Sequence, residues 1–140
     1  MSNDFMNKFN PEANTLKEFN YWTVLLREKQ VTLGATVIVL KREIPSVSEM
    51  LSEEAAEFPI VVKWFENTTK ELYGAEKFNY IIAMMKDNFV HYHAIPRYSK
   101  LIDRYNMVWK DTCWPGIIEL KSAKTDKTIL ELIKTDMKSL

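Results

Sequence analysis

Two segments near the beginning of the chain have the hydrophobic pattern of β-strands. The segment NYWTVLLRE (20–28) is rich in aromatic and β-branched residues, which favour extended backbone. After a turn at Gly34, the segment ATVIVLKRE (35–43) begins with a continuous apolar run, which is typical of a strand buried on both faces. The pattern therefore predicts two strands that follow each other closely in the chain.

The apolar positions then change to helical spacing. In residues 45–74, one helix face would carry Ile60, Val61, Trp64, Phe65, Thr68 and Leu72. Ser46 and Glu49 have the spacing of a capping box, and Gly74 is a natural helix stop. Pro59 lies inside this segment. Because proline lacks an amide donor and clashes one turn back, it predicts either a restart or a kink of the helix.

The second half of the chain returns to strand patterns and ends in a helix. KFNYIIAMMK (77–86) and FVHYHAIPR (89–97) flank an Asp-Asn turn and predict a hairpin. Residues 98–124 are irregular, with WPG (114–116) as a break. The last segment, 125–140, predicts a helix whose apolar stripe consists of Ile129, Leu132, Ile133, Met137 and Leu140. The fold class is therefore α+β, an antiparallel sheet with one long central helix and a C-terminal helix.

Composition limits the classes of protein to which the chain can belong. A chain of 140 residues predicts a single domain, 1–140, with 1–15 as a polar arm and 101–140 as a C-terminal extension packed on it. It is 46% hydrophobic and 27% charged, which is typical of a globular protein. Nineteen basic residues balance nineteen acidic ones, so no global field would attract nucleic acid or a membrane. Neither is expected as a partner.

The single cysteine and the N-terminal segment favour a cytoplasmic location. Cys113 has no partner for an internal disulfide, which fits a reducing compartment. The segment MSNDFMNKFNPEANTLKEF (1–19) does not have the basic and apolar regions of a signal peptide. No apolar run reaches the length of a membrane span.

The two histidines of the chain, His91 and His93, are the main candidates for chemistry. On a strand they point to the same face, together with Phe89 and Ile95, so their imidazoles are neighbours. Such a pair can ligate a metal with a third ligand such as Cys113, transfer protons near neutral pH, or attack a phosphorus centre. It can also be purely structural, with both rings half buried and hydrogen-bonded.

The residues around the pair resemble the histidine-triad family. That family carries His-x-His-x-His followed by apolar residues and, in one branch, by Pro-Arg. HYHAIPRY (91–98) is similar to the end of this motif, which places His93 on the third position, His91 on the middle one and Phe89 on the first. The predicted order of strands and helix over residues 17–100 is also similar. Within the family, the chain resembles bacterial diadenosine-tetraphosphate-hydrolase-like members.

The resemblance implies a function at a nucleotide phosphate. By resemblance, His91 attacks the α-phosphorus, a nucleotidyl-histidine forms, and water or another acceptor takes the nucleotide. His93 would hydrogen-bond a phosphate oxygen or the leaving group. A neutral imidazole is a competent nucleophile near neutral pH, so this role is chemically sound. The expected substrate is a dinucleoside polyphosphate such as diadenosine tetraphosphate. A homodimer is expected, with no prosthetic group, and Mg²⁺ would accompany the polyphosphate.

Five further residues are candidates for substrate binding: Arg97, Lys86, Asn79, Arg27 and Trp22. The first two could neutralise phosphate charge, Asn79 could contact the same face, and Trp22 could help to line a base pocket. Arg27 stands where many family members carry an asparagine that helps to hold the nucleotide. The short connection around residues 86–88 is another departure, because many relatives have a longer glycine-containing loop there.

Three other functions stay open at this point. Phe89 cannot hydrogen-bond through its ring, so the chain could be a nucleotide-binding module with little or no catalysis. A metal-binding domain would use His91, His93 and Cys113. A structural interaction protein would have no nucleotide affinity. The sequence does not separate hydrolysis from nucleotidyl transfer, because the two differ only in the acceptor of the second step.

Overall fold

The fold is that of an antiparallel sheet with helices on one of its faces. The computed structural model describes residues 7–85 and 88–140. Its elements, in chain order, are α1 (Pro11–Asn14), β1 (Thr15–Glu18), β2 (Trp22–Leu26), β3 (Thr36–Leu40), a 3-10 turn (Val47–Glu49), α2 (Ser52–Tyr73), β4 (Lys77–Ile81), β5 (His91–Arg97), β6 (Ile102–Arg104), β7 (Met107–Trp109) and α3 (Lys127–Lys138). No helix in the described part of the chain is both long and apolar enough to cross a bilayer.

Within the described residues, five strands form the main sheet in the order β1-β2-β3-β5-β4, and all neighbours are antiparallel. Leu25 lies opposite Val37, and Val37 lies opposite His93 on the other side. The predicted strands and the pairing of β4 with β5 are confirmed, although each strand is shorter than its apolar segment. Asp87 of the predicted Asp-Asn turn lies outside the described residues.

One face of the sheet carries the main hydrophobic core. Side chains from alternate positions of the central strands pack against α2 and α3, and the largest of them are fully buried. This alternation follows from the strand geometry, because successive side chains point to opposite faces. The histidines lie at the odd positions of β5 and therefore face away from this core.

Helix α2 confirms the predicted central helix and corrects its beginning. Ser46 accepts a hydrogen bond from the Ser48 amide and caps the 3-10 turn, whereas Glu54 reaches back to the Leu51 amide at the start of α2. Pro59 lies inside one continuous helix, so the chain neither stops nor restarts there. The helix ends at Gly74, as predicted, with a left-handed φ of 75°.

The C-terminal part contains one predicted and one unpredicted element. Helix α3 begins after Asp126, whose side chain caps it, and Ile129, Ile133 and Met137 of the predicted apolar stripe face the core. Leu130 is buried with Ile133 and Met137, whereas Leu132 and Leu140 are 46% and 47% exposed. The small hairpin of β6 and β7 lies in the segment predicted to be irregular.

Candidate functional site

The two histidines lie side by side on strand β5. Their ring centroids are 5.5 Å apart and the rings are nearly perpendicular. Only 7% of His91 and 8% of His93 is exposed. The prediction that both imidazoles share one face of a strand is therefore confirmed.

The N-terminal segment covers part of this histidine face. The ring of Phe9 lies 5.8 Å from the His91 ring and 6.0 Å from the His93 ring, measured between centroids. Phe9 also packs with Phe89 in a buried apolar cluster that includes two residues of β3. The imidazoles therefore have an apolar wall on one side, which keeps water away from them.

A backbone hydrogen bond selects the tautomer of the His91 ring. Its Nδ1 lies 2.9 Å from the carbonyl oxygen of Phe89. A carbonyl oxygen can only accept, so Nδ1 carries a proton. In the tautomer that this hydrogen bond selects, the lone pair lies on Nε2. Phe89 thus serves the site through its backbone, while its side chain is 2% exposed and belongs to the apolar wall.

His93 is held in its neutral form. Burial, together with the positive charges of Arg27 and Lys8 and the neighbouring His91, lowers its pKa to about 3. Its Nδ1 is buried, and no atom of the described residues forms a hydrogen bond with it. A buried nitrogen with unused hydrogen-bonding capacity is uncommon in proteins, and a catalytic role is one of the reasons for which such a group is retained. An anion placed beside this ring would raise the pKa again, because it stabilises the imidazolium.

A small cavity of about 180 Å³ opens next to His93. Arg27 lines it and is only 5% exposed, and burial lowers the pKa of its guanidinium. Its Nη1 has no hydrogen-bond partner among the described residues. Three lysines and one carboxylate complete the polar part of the wall: Lys8, Lys29, Lys124 and Glu28. The cavity is therefore positively charged.

The structure brings Arg97 and Asn79 together, but they form hydrogen bonds with each other, and Arg97 also with Asp111. The Arg97 guanidinium donates to both carboxylate oxygens of Asp111, at 2.6 Å from Nε and 3.0 Å from Nη2. Its Nη1 donates to Asn79 Oδ1 at 2.6 Å. Burial alone would raise the pKa of Asp111, but the hydrogen bonds from Arg97 and Tyr98 lower it overall. Arg97 therefore belongs to the interior of the fold. Contact of Arg97 or Asn79 with a substrate stays a prediction.

Trp22 and Lys86 are not part of the described histidine site. Trp22 is fully buried on the opposite face of the sheet, where its Nε1 donates to the Glu54 carbonyl and its ring packs on Phe58. Lys86 lies outside the described residues.

Cys113 packs against the cluster that includes Ile95. Within 7–85 and 88–140, no group of three potential metal ligands comes together.

Residues from distant parts of the chain complete the site and were not predicted from the sequence. Lys8 and Phe9 come from the arm, and Lys124 comes from the segment before α3. For Phe9, the sequence does contain a signal: it is an isolated aromatic residue among the polar residues of NKFNPE, and such a side chain is expected to be buried against another part of the protein. The lysines gave none.

Comparison with known proteins identifies the fold. Neither a protein-family model nor a curated protein sequence matches the chain. A hypothetical histidine triad nucleotide-binding protein from Sulfolobus tokodaii strain 7 has a similar structure, with a TM-score of 0.70, 20% identity and coverage of 97% of this chain and 89% of that one. The chain has the histidine-triad fold. The prediction of an α+β, histidine-triad-like fold is therefore confirmed.

Two further histidine-triad structures support this assignment of the fold. A histidine triad protein from Sinorhizobium meliloti 1021 has a TM-score of 0.72 at 17% identity, with 96% of this chain and 98% of that chain covered. The C. elegans NitFhit protein has a TM-score of 0.66 at 14% identity. This chain covers 90% of its own length but spans only 27% of NitFhit. At such identities the likeness establishes the histidine-triad fold.

Proposed function

We propose that this protein is a nucleotide hydrolase or nucleotidyl transferase that acts at an α-phosphorus through a nucleotidyl-histidine intermediate. The observation that carries the proposal is the state of His91, whose Nδ1 donates to the Phe89 carbonyl at 2.9 Å and leaves the lone pair on Nε2. The neighbouring His93 and the positively charged cavity beside it provide a place for phosphate. The similarity to a structure described as nucleotide-binding also supports a nucleotide as the ligand.

In the first step, the Nε2 lone pair of His91 attacks the α-phosphorus in line with the leaving group. A P–N bond forms, the P–O bond to the leaving group breaks, and that oxygen departs with the electron pair. Phosphate or polyphosphate is a good leaving group, and its charge requires nearby cations. The hydrogen bond to Phe89 spreads the positive charge that develops on the ring and keeps the imidazole oriented.

In the second step, water or another acceptor attacks the same phosphorus. A new P–O bond forms, the P–N bond breaks with its electron pair returning to His91 Nε2, and the acceptor passes its proton to His93, which the first step leaves deprotonated. Two displacements through a labile phosphorus–nitrogen bond are easier than one direct displacement by water. Hydrolysis and transfer share this chemistry, and the acceptor that enters the site decides between them.

His93 is proposed to hydrogen-bond a phosphate oxygen or the leaving group. In the unliganded protein its pKa of about 3 makes it neutral, so it acts there as a neutral donor. A bound phosphate raises this pKa because the anion offsets the charges of Arg27 and Lys8. The same ring can therefore gain a proton when the substrate binds and supply it to the departing oxygen.

The proposed substrate is a dinucleoside polyphosphate of the diadenosine tetraphosphate type. The cationic cavity next to His93 suits a chain of phosphates, and Mg²⁺ would bind the polyphosphate rather than a protein site. A homodimer and a cytoplasmic location also belong to the proposal, from the family resemblance and the single cysteine. In the sheet, β4 is an outer strand that a second copy could approach.

A nucleotide-binding module with little catalysis is the second candidate. Phe89 occupies the first position of the motif, and its ring is buried beside Phe9. Phe9 in turn lies against both imidazoles. An apolar wall at this position supports binding and excludes water, but it offers no side-chain hydrogen bond to the reacting groups.

A turnover panel tests the proposal. Wild type, His91→Ala and the control variant Lys63→Gln, an exposed lysine on α2, are incubated with diadenosine polyphosphates, nucleoside phosphoramidates, nucleotide sugars and nucleoside triphosphates. We expect wild type and the control to release a nucleoside monophosphate, and His91→Ala to be inactive while still binding nucleotide. Binding without turnover by wild type would favour the binding module. Equal turnover by His91→Ala would exclude the nucleophile assigned here.

A further inference from the structure

The two histidines are covered more completely than the proposed chemistry allows. Less than one tenth of His91 and of His93 is exposed. Attack requires the Nε2 atom of His91 to come within about 3–3.5 Å of a phosphorus atom that carries bulky substituents. The cavity of about 180 Å³ beside His93 does not provide this access, because His91 is not among the residues that line it. A nucleotide can therefore reach His91 only after part of the cover has moved.

The cover over β5 changes along the strand. Ile95 packs with Ile118 of the C-terminal extension. At the histidines the cover is Phe9, whose ring centroid lies 5.8 and 6.0 Å from those of the two imidazoles. Phe9 is 4% exposed and packs in one cluster with Leu25 and Val37 of the neighbouring strands. The Phe9 side chain therefore closes the part of the sheet face from which His91 would be approached.

Phe9 belongs to residues 7–14, which we call the N-terminal strap, and this strap is tied down at its base. The Lys134 ammonium of α3 donates a hydrogen bond to the Ala13 carbonyl at 3.0 Å. The buried Asn14 donates from its side-chain amide to the Glu28 carboxylate at 2.8 Å. The chain then enters β1 directly. The base of the strap is therefore held in place by the sheet and by α3.

Asn10 lies between this fixed base and Phe9, and it is the natural hinge of the strap. Its φ of 44° and ψ of 68° lie in the left-handed region, which asparagine tolerates better than most residues. Asn10 and the neighbouring Lys8 are exposed, so both can move without leaving a packed interior. A backbone rotation at Asn10 would lift the Phe9 ring off the imidazoles and break the 2.9 Å hydrogen bond from Asn14 to the Phe9 carbonyl.

We propose that the N-terminal strap is an autoinhibitory gate over the histidine site. In the closed state, which is the state of this structure, Phe9 covers both imidazoles. In the open state, the strap has swung out about Asn10 and a nucleotide can reach His91 Nε2. This inference rests on the proposed function and concerns the regulation of the same site.

The balance between the two states follows from the burial of the Phe9 ring. Full burial of a phenylalanine side chain favours the buried state by a factor of about 10 to 100. The open state would then be a minor one, at about 1 to 10% of the molecules. The apparent affinity for a ligand that binds only the open state is reduced by the same fraction. Removal of the ring should therefore increase access to the histidines about tenfold or more.

Carbethoxylation by diethyl pyrocarbonate measures this access without any nucleotide. The reagent acylates neutral imidazoles, and the chain has no histidines besides His91 and His93, so the ultraviolet absorbance of the product reports this site. Untagged wild type is compared with Phe9→Ala and with the matched control Phe19→Ala, whose ring packs on Trp64 at 6.3 Å instead. Circular dichroism and thermal melting establish that each variant is folded.

A second variant acts on the hinge and keeps the Phe9 ring. Asn10→Ala disfavours the left-handed backbone of the closed state, because alanine adopts this conformation less readily than asparagine. This variant is measured in the same way, and it replaces Phe9→Ala if that variant does not fold. A fixed wall that never opens would respond to loss of the ring but not to this change at the hinge.

We expect Phe9→Ala to be carbethoxylated about tenfold or more faster than wild type, and Asn10→Ala about threefold faster. Phe19→Ala should stay within about twofold of wild type, because its ring lies away from the histidines. Equal rates in wild type and Phe9→Ala would overturn the gate. The same acceleration in Phe19→Ala would also overturn it, since the effect would then come from general loosening of the fold.

Turnover distinguishes failure of the gate from failure of the proposed function. With diadenosine tetraphosphate, Asn10→Ala should lower KM about threefold and leave kcat within about twofold, because the open fraction changes while the chemistry does not. An unchanged KM would refute the gate and leave the proposed function intact. Faster carbethoxylation of Phe9→Ala and Asn10→Ala, in a protein that neither binds nor converts any nucleotide, would support the gate and refute the proposed function.

Discussion

Replacement of Arg97 should destabilise the fold far more than replacement of a surface arginine would. Its guanidinium forms two hydrogen bonds with Asp111, and the two side chains are 4% and 0% exposed. Removing one member of a buried ion pair leaves the other charge without compensation, which costs about 3–5 kcal/mol. Arg97→Met also leaves Asn79 Oδ1 without its 2.6 Å donor. We therefore expect a loss of about 3–5 kcal/mol in the free energy of unfolding.

Urea denaturation at neutral pH measures this loss. The matched control is Lys41→Met, which removes an exposed pair with Glu18 at 3.8 Å and should cost less than about 1 kcal/mol. The double variant Arg97→Met/Asp111→Asn removes both charges but keeps an acceptor for the Tyr98 amide, which donates to Asp111 at 3.2 Å. It should recover much of the lost stability. This recovery follows because the main penalty is the uncompensated carboxylate.

The opposite pattern would show that Arg97 acts on the substrate. Suppose that Arg97→Met unfolds within about 1 kcal/mol of wild type but loses nucleotide affinity tenfold or more. The guanidinium would then contribute to binding rather than to the interior, and the assignment made from its hydrogen bonds would be refuted.

Buried and strained positions give three further predictions. The pKa of His93 is about 3 in the fold and 6.5 for an ordinary histidine, so the unfolded chain binds a proton first as the pH falls. The contribution of His93 to the free energy of unfolding is therefore complete above pH 6.5 and is lost below it, by about 1.4 kcal/mol per pH unit. Between pH 7 and pH 5 wild type should thus lose about 2 kcal/mol more than His93→Gln in urea unfolding, and parallel losses would contradict this. Gly34 has a φ of +88°, and a Cβ added there would lie 3.2 Å from Thr69 Cγ2. Gly74 has a similar φ of +75°, but no atom lies close to its added Cβ. Gly34→Ala should therefore have a lower melting temperature than Gly74→Ala. Equal melting temperatures would argue against the close contact. Arg27→Met should raise the free energy of unfolding by about 1 kcal/mol because it removes an unpartnered buried cation, and a loss measured by urea unfolding would contradict this.

Patterns within short stretches of sequence predicted the individual strands and helices, because hydrophobic spacing and helix-ending residues act over a few neighbouring residues. The aromatic and β-branched composition of β2, the continuous apolar run of β3 and the helical spacing of α2 predicted these elements, and Gly74 predicted the end of α2, because these signals act within a few residues. The β6–β7 hairpin was missed for a physical reason. Its turn residues Tyr105 and Asn106 both have φ of 58°, a conformation that is normally signalled by Asn-Gly. Strands of three residues also leave too little alternation to recognise.

The candidate site was only partly predictable, because half of it is assembled by tertiary structure. The spacing of His91 and His93 placed both rings on one strand face without further information. The apolar cover over that face comes from Phe9, more than eighty residues earlier in the chain, and no local pattern connects the two. Arg97 was predicted as a phosphate ligand from its charge and its place shortly after the histidines. Its acceptor, Asp111, lies 14 residues further along the chain in a segment without regular structure, so no local pattern indicated the ion pair.

The measurement that tests the central claim most directly is the detection of the covalent intermediate. Wild type and His91→Ala are mixed with diadenosine tetraphosphate, quenched in alkali during turnover and analysed by intact mass and peptide mapping. We expect a mass increase of one nucleotidyl group in wild type, located on the peptide that carries His91, and no increase in the variant. Product release by wild type without any adduct, or an adduct that persists in His91→Ala, would contradict the proposal that His91 is the nucleophile.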